Sequence, residues 1–338
     1  MKKQIVLLGI LSLCMLISFS AYSQEQRKKV AVVLSGGGAK GVAHIEALKV
    51  IEEAGIPIDY VVGTSMGSIV GGLYAIGYTP HQLDSMVRHQ NWGFLLSDRL
   101  KRNYMTLSEK ERSAKYVVSV PFTKSPKELM YGGLVKGQNL SNLFSDLTIG
   151  YHDSIDFNKL PIPFACVSAN IVNGDQVIFH DGVLASAMRA SMAIPAFFTP
   201  VRKDSMVLVD GGLVNNYPAD VAKAMGADII IGVDVQNALR PADKLNNVPD
   251  ILGQIVDLTC QTNYEKNVDL TDVYIKVNVD GYSSASFSPA AIDTLLNRGE
   301  MAALAQWDSL IALKSKIGIP EDYLPKQHGP YIQSSKDH

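Results

Sequence analysis

Cysteine is scarce in this chain of 338 residues, which contains three. Cys14 lies in an apolar run near the start of the chain, and Cys166 and Cys260 lie far apart further along it. So few cysteines exclude a disulfide scaffold, and without a Cys/His cluster we expect no structural zinc site. We predict that Cys166 and Cys260 are unpaired and buried as small hydrophobic residues.

An excess of charge of one sign is also lacking. The 31 Lys and Arg residues stand against 33 Asp and Glu residues, for a formal net charge of −2. This balance, without a long block of like charges, argues against a nucleic-acid partner. The composition, 47% hydrophobic and 19% charged, is that of an ordinary globular protein with a sizeable core.

The start of the chain has the three-part pattern of a secretory signal peptide. Lys2 and Lys3 precede an apolar run over residues 5–19, and small residues at Ala21 and Ser23 fit a cleavage site. A membrane anchor is the alternative, but the run is shorter than the ~18 residues of a spanning helix. We predict a signal peptide over residues 1–23 and an exported protein that is periplasmic, associated with the outer membrane, or secreted.

Apolar runs without polar alternation predict strands that are buried on both faces, and hence a mostly parallel sheet between helices. The expected fold is a three-layer α/β/α sandwich. The predicted strands are Val30–Leu34, Ile58–Val62, Pro163–Ser168, Gln176–Phe179, Met206–Val209, Ile229–Val233 and Tyr274–Val279. The predicted helices are Val42–Ala54, Ser68–Ile76, Val183–Met192, Ala219–Met225, Val248–Lys266 and Ala290–Lys316.

Two regions are less regular. Residues 317–338 are typical of a loosely packed tail. Residues 80–160 fit either a lid or acyl-chain region or an ordinary connecting subregion, and their apolar residues are Phe94, Leu95, Leu96, Met105, Phe122, Met130 and Tyr131.

The first glycine-rich turn follows the first predicted strand. Gly36, Gly38 and Gly41 have the spacing of a dinucleotide-binding fingerprint. Such a site needs an acidic residue after the second strand, where this chain has Gly63, and a phosphate-binding Walker motif fails at Val42. A nucleotide-dependent oxidoreductase is therefore disfavoured.

The second turn is Gly63-Thr64-Ser65-Met66-Gly67, a G-x-S-x-G between a strand and a helix. A nucleophilic serine needs this sharp turn to project beyond the sheet, and the glycines avoid clashes where the strand and the helix crowd together. The sequence therefore predicts Ser65 as a nucleophile.

Attack on an ester places negative charge on the carbonyl oxygen, which needs backbone N–H donors. The amides of Gly36, Gly37 and Gly38 are candidate donors, together with that of Met66. Lys40 supports this loop or attracts a phosphate head group, or it is a solvated lysine near a helix start.

A base must accept the serine proton. Asp210 ends a predicted strand, where folds with parallel sheets place their ligands, and burial would increase its basicity. His328 and His338 lie in the tail, and His44 lies on the first helix. His180 remains open as an alternative base, and Asp210 has the alternative role of a turn residue.

The chain resembles the bacterial patatin-like phospholipase family over roughly residues 30–303. The resemblance implies an acyl hydrolase domain over residues 24–316 with a Ser65–Asp210 dyad and an acyl-enzyme intermediate. It is carried by Gly36-Gly37-Gly38-Ala39-Lys40-Gly41, by the Ser65 turn, by Asp210-Gly211-Gly212 with Asn216 and Pro218, and by Ala193-Ile194-Pro195 with Phe198 and Pro200.

This resemblance implies hydrolysis of phospholipid or lysophospholipid esters at a membrane surface, without a metal or other cofactor. One departure is Glu46, which stands where many relatives carry glycine. The alternative function is a non-catalytic exported domain that binds lipid or a protein partner. The implied oxyanion and substrate-binding residues are Gly36, Gly37, Gly38, Lys40, Gly41 and Met66, and Met192, Ile194, Phe197 and Phe198 line the acyl pocket or belong to the core.

Overall fold

The computed structural model of the protein describes residues 27–100, 135–195, 197–246, 248–320 and 322–324. The predicted signal peptide therefore lies outside the described residues. The same holds for Met105, Phe122, Met130 and Tyr131 of the irregular region and for residues 325–338 of the predicted tail.

The described residues form a mixed sheet of eight strands in the order β10-β9-β1-β2-β4-β8-β7, with β5 paired to β4. The strands from β10 to β4 run parallel to one another, while β5 and β8 run antiparallel to β4. The mostly parallel sheet is confirmed. The strands, including the two-stranded pair β3 and β6, are β1 Val30–Leu34, β2 Tyr60–Thr64, β3 Ile155–Asp156, β4 Phe164–Asn170, β5 Asp175–Phe179, β6 Asp181–Gly182, β7 Val201–Lys203, β8 Met206–Asp210, β9 Ile229–Asp234 and β10 Val273–Lys276.

Both faces of this sheet are covered, as the continuous apolar runs predict. Val30, Val32 and Leu34 of β1 pack into one hydrophobic cluster, and Ala31 and Val33 pack into a second cluster on the opposite face. This division confirms the three-layer α/β/α sandwich, since alternate residues of one strand point to opposite faces.

Eleven α-helices lie within the described ranges. A 3-10 turn at Gly38–Val42 leads into the first of them. The helices are α1 Ala43–Glu53, α2 Met66–Ala75, α3 Pro80–His89, α4 Trp92–Leu95, α5 Gln138–Leu147, α6 Leu184–Ser191, α7 Ala219–Ala224, α8 Val248–Thr259, α9 Tyr264–Asp269, α10 Pro289–Leu304 and α11 Trp307–Ile317.

Two helices predicted as continuous are each divided. The predicted helix 248–266 breaks before α9 because Asn263 adopts a left-handed conformation with φ 58°, which a right-handed helix cannot contain. The predicted helix 290–316 breaks between α10 and α11, where Asp308 lies in the first turn of the new helix and favours its N-terminus.

The packed domain extends beyond residue 316. Ile317, where the tail was predicted to begin, is 1% exposed, and its carbonyl accepts a hydrogen bond from the N–H of Lys28. The Lys314 ammonium donates to the carbonyl of Tyr323 at 3.1 Å. These contacts fix the last described residues to the body of the fold.

Cys166 and Cys260 are unpaired thiols, as predicted. Cys166 is fully buried on β4, whereas Cys260 is only partly buried and lies after α8. The expectation of two buried hydrophobic residues therefore holds in full for Cys166 alone.

Candidate active site

Ser65 occupies a strained turn between β2 and α2. Its φ of 54° and ψ of −122° are unusual for a residue other than glycine. A Cβ at Gly63 would lie 2.3 Å from the carbonyl oxygen of Gly67, and a Cβ at Gly67 would lie 2.2 Å from that of Leu34. Backbone therefore crowds both sides of the turn, and this explains why both positions require glycine.

The Ser65 hydroxyl is hydrogen-bonded to the candidate base. Ser65 Oγ donates to Asp210 Oδ2 at 2.6 Å, and the N–H of Gly212 donates to the other carboxylate oxygen at 2.8 Å. The Ser65 N–H donates to Ser191 Oγ at 2.9 Å, and Ser191 in turn donates to the carbonyl of Val167. Ser191 thus ties the strained turn to β4.

The sheet register explains why Ser65 and Asp210 meet. On one edge of β4, Val167 pairs with Thr64 of β2, and the next residue, Ser168, pairs with Asp210 of β8. Because β8 is antiparallel to β4, β2 and β8 approach each other end to end. Asp210 therefore does not end a parallel strand, as the sequence reasoning assumed, but arrives from the opposite direction.

The environment of Asp210 suits a base. Burial raises the pKa of this carboxyl from 3.8 to about 6, and the hydrogen bonds from Ser65 and Gly212 partly oppose that rise. Asp210 is 7% exposed, so little water screens its charge. A carboxylate with a raised pKa accepts a proton more readily than a solvated one does.

The hydrogen bonds of the glycine loop show which of the candidate oxyanion donors remain available. The Gly36 N–H donates to the carbonyl of Asn216 at 3.0 Å, and the Asn216 side chain donates back to the Gly36 carbonyl at 3.5 Å. Among the described residues, no acceptor is found for the amides of Gly37 and Gly38. Met66 is the first residue of α2, so its N–H has no partner within the helix. The available donors are thus those of Gly37, Gly38 and Met66.

Gly41 and Lys40 have different surroundings from each other. A Cβ at Gly41 would lie 2.5 Å from Met66 Cγ, so glycine lets the loop pack against the start of α2. Lys40 is 4% exposed and is not a solvated lysine. Burial lowers the pKa of its ammonium, while the charges of Asp257 and Asp234 favour the charged form.

Neither His44 nor His180 is hydrogen-bonded to Ser65, whose N–H and hydroxyl donate to Ser191 and Asp210, respectively. His44 is buried with Nε2 2.8 Å from the carbonyl of Ser35, and burial lowers its pKa to about 4. It is therefore neutral and supports the start of the glycine loop. His180 follows β5, whose last residue Phe179 pairs with Cys166, so it lies toward the start of β4 and away from Ser65.

One cavity is lined by Ser65 and Asp210, and a second is lined by Met66, the residue that follows Ser65. The first, the polar cavity, has a volume of ≈ 320 Å³, and its wall contains Ser65, Asp210 and several other polar side chains beside apolar ones. The second, of ≈ 50 Å³, is apolar and lies beyond Met66 and Met192. Polar groups of the first cavity include Lys40, Asn216, Gln236, Asn237, Arg240, Asp257 and Gln261.

The four predicted pocket residues divide between these surroundings. Met192 lines the apolar cavity, and Ile194 lines the polar one. Phe198 is buried in the core beneath the guanidinium of Arg189, and Phe197 is partly exposed. The sequence analysis did not predict Ser191 or Gln236 as site residues, because their positions in the site depend on contacts with residues distant in the chain.

Potential metal ligands are dispersed. Within the described ranges, no group of three or more His, Cys, Asp or Glu residues is arranged to hold a metal ion.

Comparison with known proteins places this site in a family. The family model described as Patatin-like phospholipase matches residues 32–223, which is more than half of the chain. The patatin-like phospholipase domain-containing protein 7 of Rattus norvegicus is 27% identical over 328 residues, covering 89% of this chain and 22% of the relative. An uncharacterized NTE family protein of Mycobacterium bovis is 30% identical over 225 residues, covering 67% of this chain and 33% of the relative.

Among solved structures, VipD from Legionella pneumophila matches with a TM-score of 0.45 at 16% identity, covering 84% of this chain and 67% of that chain. This chain spans about a fifth to a third of the length of the two curated relatives. The family match includes the glycine loop, the Ser65 turn and Asp210. The chain belongs to the patatin-like phospholipase family.

Proposed function

We propose that the protein is a serine acyl hydrolase of the phospholipase A or lysophospholipase type. The observation that carries this proposal is the 2.6 Å hydrogen bond from Ser65 Oγ to the buried carboxylate of Asp210. A binding module needs neither the strained serine turn nor a buried base with a raised pKa. Membership of a phospholipase family supports lipid esters as the substrates.

The mechanism follows from the dyad. Asp210 accepts the hydroxyl proton as Ser65 Oγ attacks the acyl carbonyl, and the amides of Gly37 and Gly38 stabilise the oxyanion. Asp210 returns the proton to the departing alcohol, which leaves an acyl ester on Ser65. Asp210 then takes a proton from water, the resulting hydroxide attacks the acyl-enzyme, and the returned proton restores the Ser65 hydroxyl as the fatty acid leaves.

The apolar cavity is the proposed acyl-chain site. Met66 follows the nucleophile directly, and Met192 follows Ser191, so both connect the cavity to the dyad. Its ≈ 50 Å³ holds less than two water volumes of about 30 Å³ each, so the lining must repack around a chain. Three of the lining residues are methionines, whose flexible side chains suit such repacking. Helices α3 and α5 supply further walls through Leu83, Met86, Val87, Leu140, Leu143 and Phe144.

Helix α8 is the proposed contact with a lipid surface. Val256 and Asp257 on one side of α8 line the polar cavity, while Ile251, Ile255 and Leu258 are exposed at helical spacing. We propose that a substrate held in a leaflet reaches Ser65 past this helix. The described helices include none with the length and apolarity of a membrane span.

Vesicle flotation tests this contact. Leu258→Ser removes an apolar side chain that is 51% exposed on α8, and Leu304→Ser makes the same change at a 47% exposed position on α10. We expect only Leu258→Ser to weaken flotation, because only α8 borders the cavity of Ser65. Equal flotation of both variants would contradict the role of α8.

We further propose that the chain is exported and that residues 1–23 are removed. N-terminal sequencing of the protein recovered from separated cell fractions tests this. A retained Met1 in every fraction would overturn it.

Fatty acid release from mixed phospholipid vesicles tests the hydrolase proposal, with Ser65→Ala as the comparison. Release by the natural protein and none by Ser65→Ala is the expected result. If neither protein releases fatty acid from vesicles or from soluble esters while both are folded, the hydrolase proposal fails. A non-catalytic domain that binds lipid or a partner would then be favoured.

A further inference from the structure

The loops that follow the carboxyl ends of β1 and β9 carry buried polar side chains beside the cavity of Ser65. β1 and β9 are adjacent, with Leu34 opposite Val233, so the residues that follow them lie side by side. Lys40 lies after β1 and Gln236 after β9, and both line the cavity.

Gln236 is 5% exposed, and neither polar atom of its carboxamide has a hydrogen-bond partner in the described part of the chain. Asn237 Oδ1 is likewise buried without a partner there, although its Nδ2 donates to Tyr282. A buried polar group without a partner costs free energy, so such groups in native proteins call for an explanation.

The backbone beneath these side chains is firmly held. The buried carboxylate of Asp234 accepts hydrogen bonds from Tyr264, Tyr274 and Lys276, and its other oxygen accepts one from the Gln236 N–H. Local looseness therefore does not account for the unpartnered carboxamide of Gln236.

Lys40 supplies the positive charge of the same cavity wall. Its ammonium makes no hydrogen bond or ion pair with the described residues, and Asp257 and Asp234 favour its charged form through space. Arg240 adds a second cation to the lining. The two cations suit an anion that enters from the cavity, although the carboxylates of Asp210 and Asp257 line the same cavity.

The hydrogen-bond acceptors in the cavity wall indicate which donor groups the rest of the ligand carries. Gln236 and Asn237 line the cavity, and the buried oxygens Gln236 Oε1 and Asn237 Oδ1 have no donor among the described residues. Hydroxyl groups meet that need at lower desolvation cost than an ammonium group. The cavity volume of ≈ 320 Å³ is within the range of small-ligand sites.

We propose that this wall is a subsite for a polyol phosphate, the phosphoglycerol type of lipid head group. Lys40 and the Gln236 amide nitrogen face the phosphate, and the carbonyl oxygens of Gln236 and Asn237 accept from the hydroxyls. This inference rests on the proposed hydrolase function only in taking a lipid as the source of the polyol phosphate. The head-group site itself is testable without turnover.

The kinetic test uses phospholipids with identical acyl chains and glycerol, choline or ethanolamine head groups, each in neutral-detergent micelles. We expect faster release from the glycerol lipid than from the other two. Gln236→Leu, which removes only hydrogen-bonding capacity, should reduce that preference three- to tenfold, the effect of one lost hydrogen bond. The control Gln138→Leu, on the exposed side of α5, should leave the preference unchanged. Equal rates on all three lipids, or a preference for ethanolamine, would overturn the proposal while leaving the hydrolase function standing.

The binding test uses the inactive Ser65→Ala protein and calorimetric titration with glycerol 3-phosphate, inorganic phosphate and glycerol. Glycerol 3-phosphate should bind more tightly than either part, and Gln236→Leu in the same background should weaken it. Equal affinity for inorganic phosphate would show an anion site only and would overturn the polyol assignment. Binding of glycerol 3-phosphate without fatty acid release by the natural protein would retain the subsite and refute the hydrolase. Failure of glycerol 3-phosphate to bind, with release intact, would refute the subsite alone.

Discussion

Replacing Asp210 by Asn should make the protein more stable and inactive. Asn keeps the shape of the side chain, its oxygen can still accept from the Gly212 N–H, and its amide can donate to Ser65 Oγ. The substitution therefore removes the buried charge, and the Ser65 O–H loses its acceptor just as it does when Asp210 is protonated. Activity should fall by about 10²- to 10⁴-fold, the usual contribution of a general base.

The magnitude of the stability gain follows from the pKa. Burial raises the Asp210 pKa from 3.8 to about 6. At 1.36 kcal/mol per pKa unit, this difference of about 2 corresponds to roughly 3 kcal/mol. Because the folded state holds the proton more tightly than the unfolded state, ionisation costs folding free energy as the pH rises from about 4 to about 6. The variant avoids that cost, so its advantage should open over this range and remain constant above it.

Urea unfolding of both proteins from about pH 4 to about pH 8 measures this difference. We expect equal unfolding free energies near pH 4 and a gain approaching 3 kcal/mol for Asp210→Asn above about pH 6. Asp153→Asn, at a side chain that is 85% exposed, should show no such gain. An Asp210→Asn protein that is no more stable at pH 8 would refute the raised pKa, and full activity in a folded variant would refute the dyad.

Three further predictions follow from the site. The kcat/KM of the natural protein should fall about tenfold per pH unit below about pH 6, as Asp210 becomes protonated, and a profile flat to pH 4 would contradict this. Ser191→Ala should lower both kcat and the unfolding free energy, because the Ser65 N–H loses its acceptor. The unfolding free energy should fall by about 1–3 kcal/mol. An unchanged kcat in a folded variant would show that the turn needs no such support. Val70→Phe should fill the apolar cavity and reduce hydrolysis of long-chain more than of short-chain nitrophenyl esters; an unchanged ratio would place the acyl chain elsewhere.

The elements that could be predicted are those whose signal is local. Val30–Leu34 is apolar throughout, so it indicates a strand covered on both faces, which the two hydrophobic clusters confirm. The turn at Ser65 could be placed because its strand, its glycines and its helix are contiguous. Asn263 shows the limit, since an Asn in a left-handed conformation has no sequence signature that distinguishes it from one within a helix.

The sequence by itself therefore determined the sheet, its layers and the identity of the two dyad candidates. Only the tertiary structure decided how Asp210 reaches Ser65, because an antiparallel β8 that meets β2 end to end depends on pairing with β4. The engagement of the Gly36 amide by Asn216, 180 residues away, also depends on tertiary packing. Local backbone conformation depends on neighbouring residues, whereas strand register and burial depend on contacts between residues distant in the chain. Those distant contacts determine both the hydrogen bonds of Asp210 and its pKa.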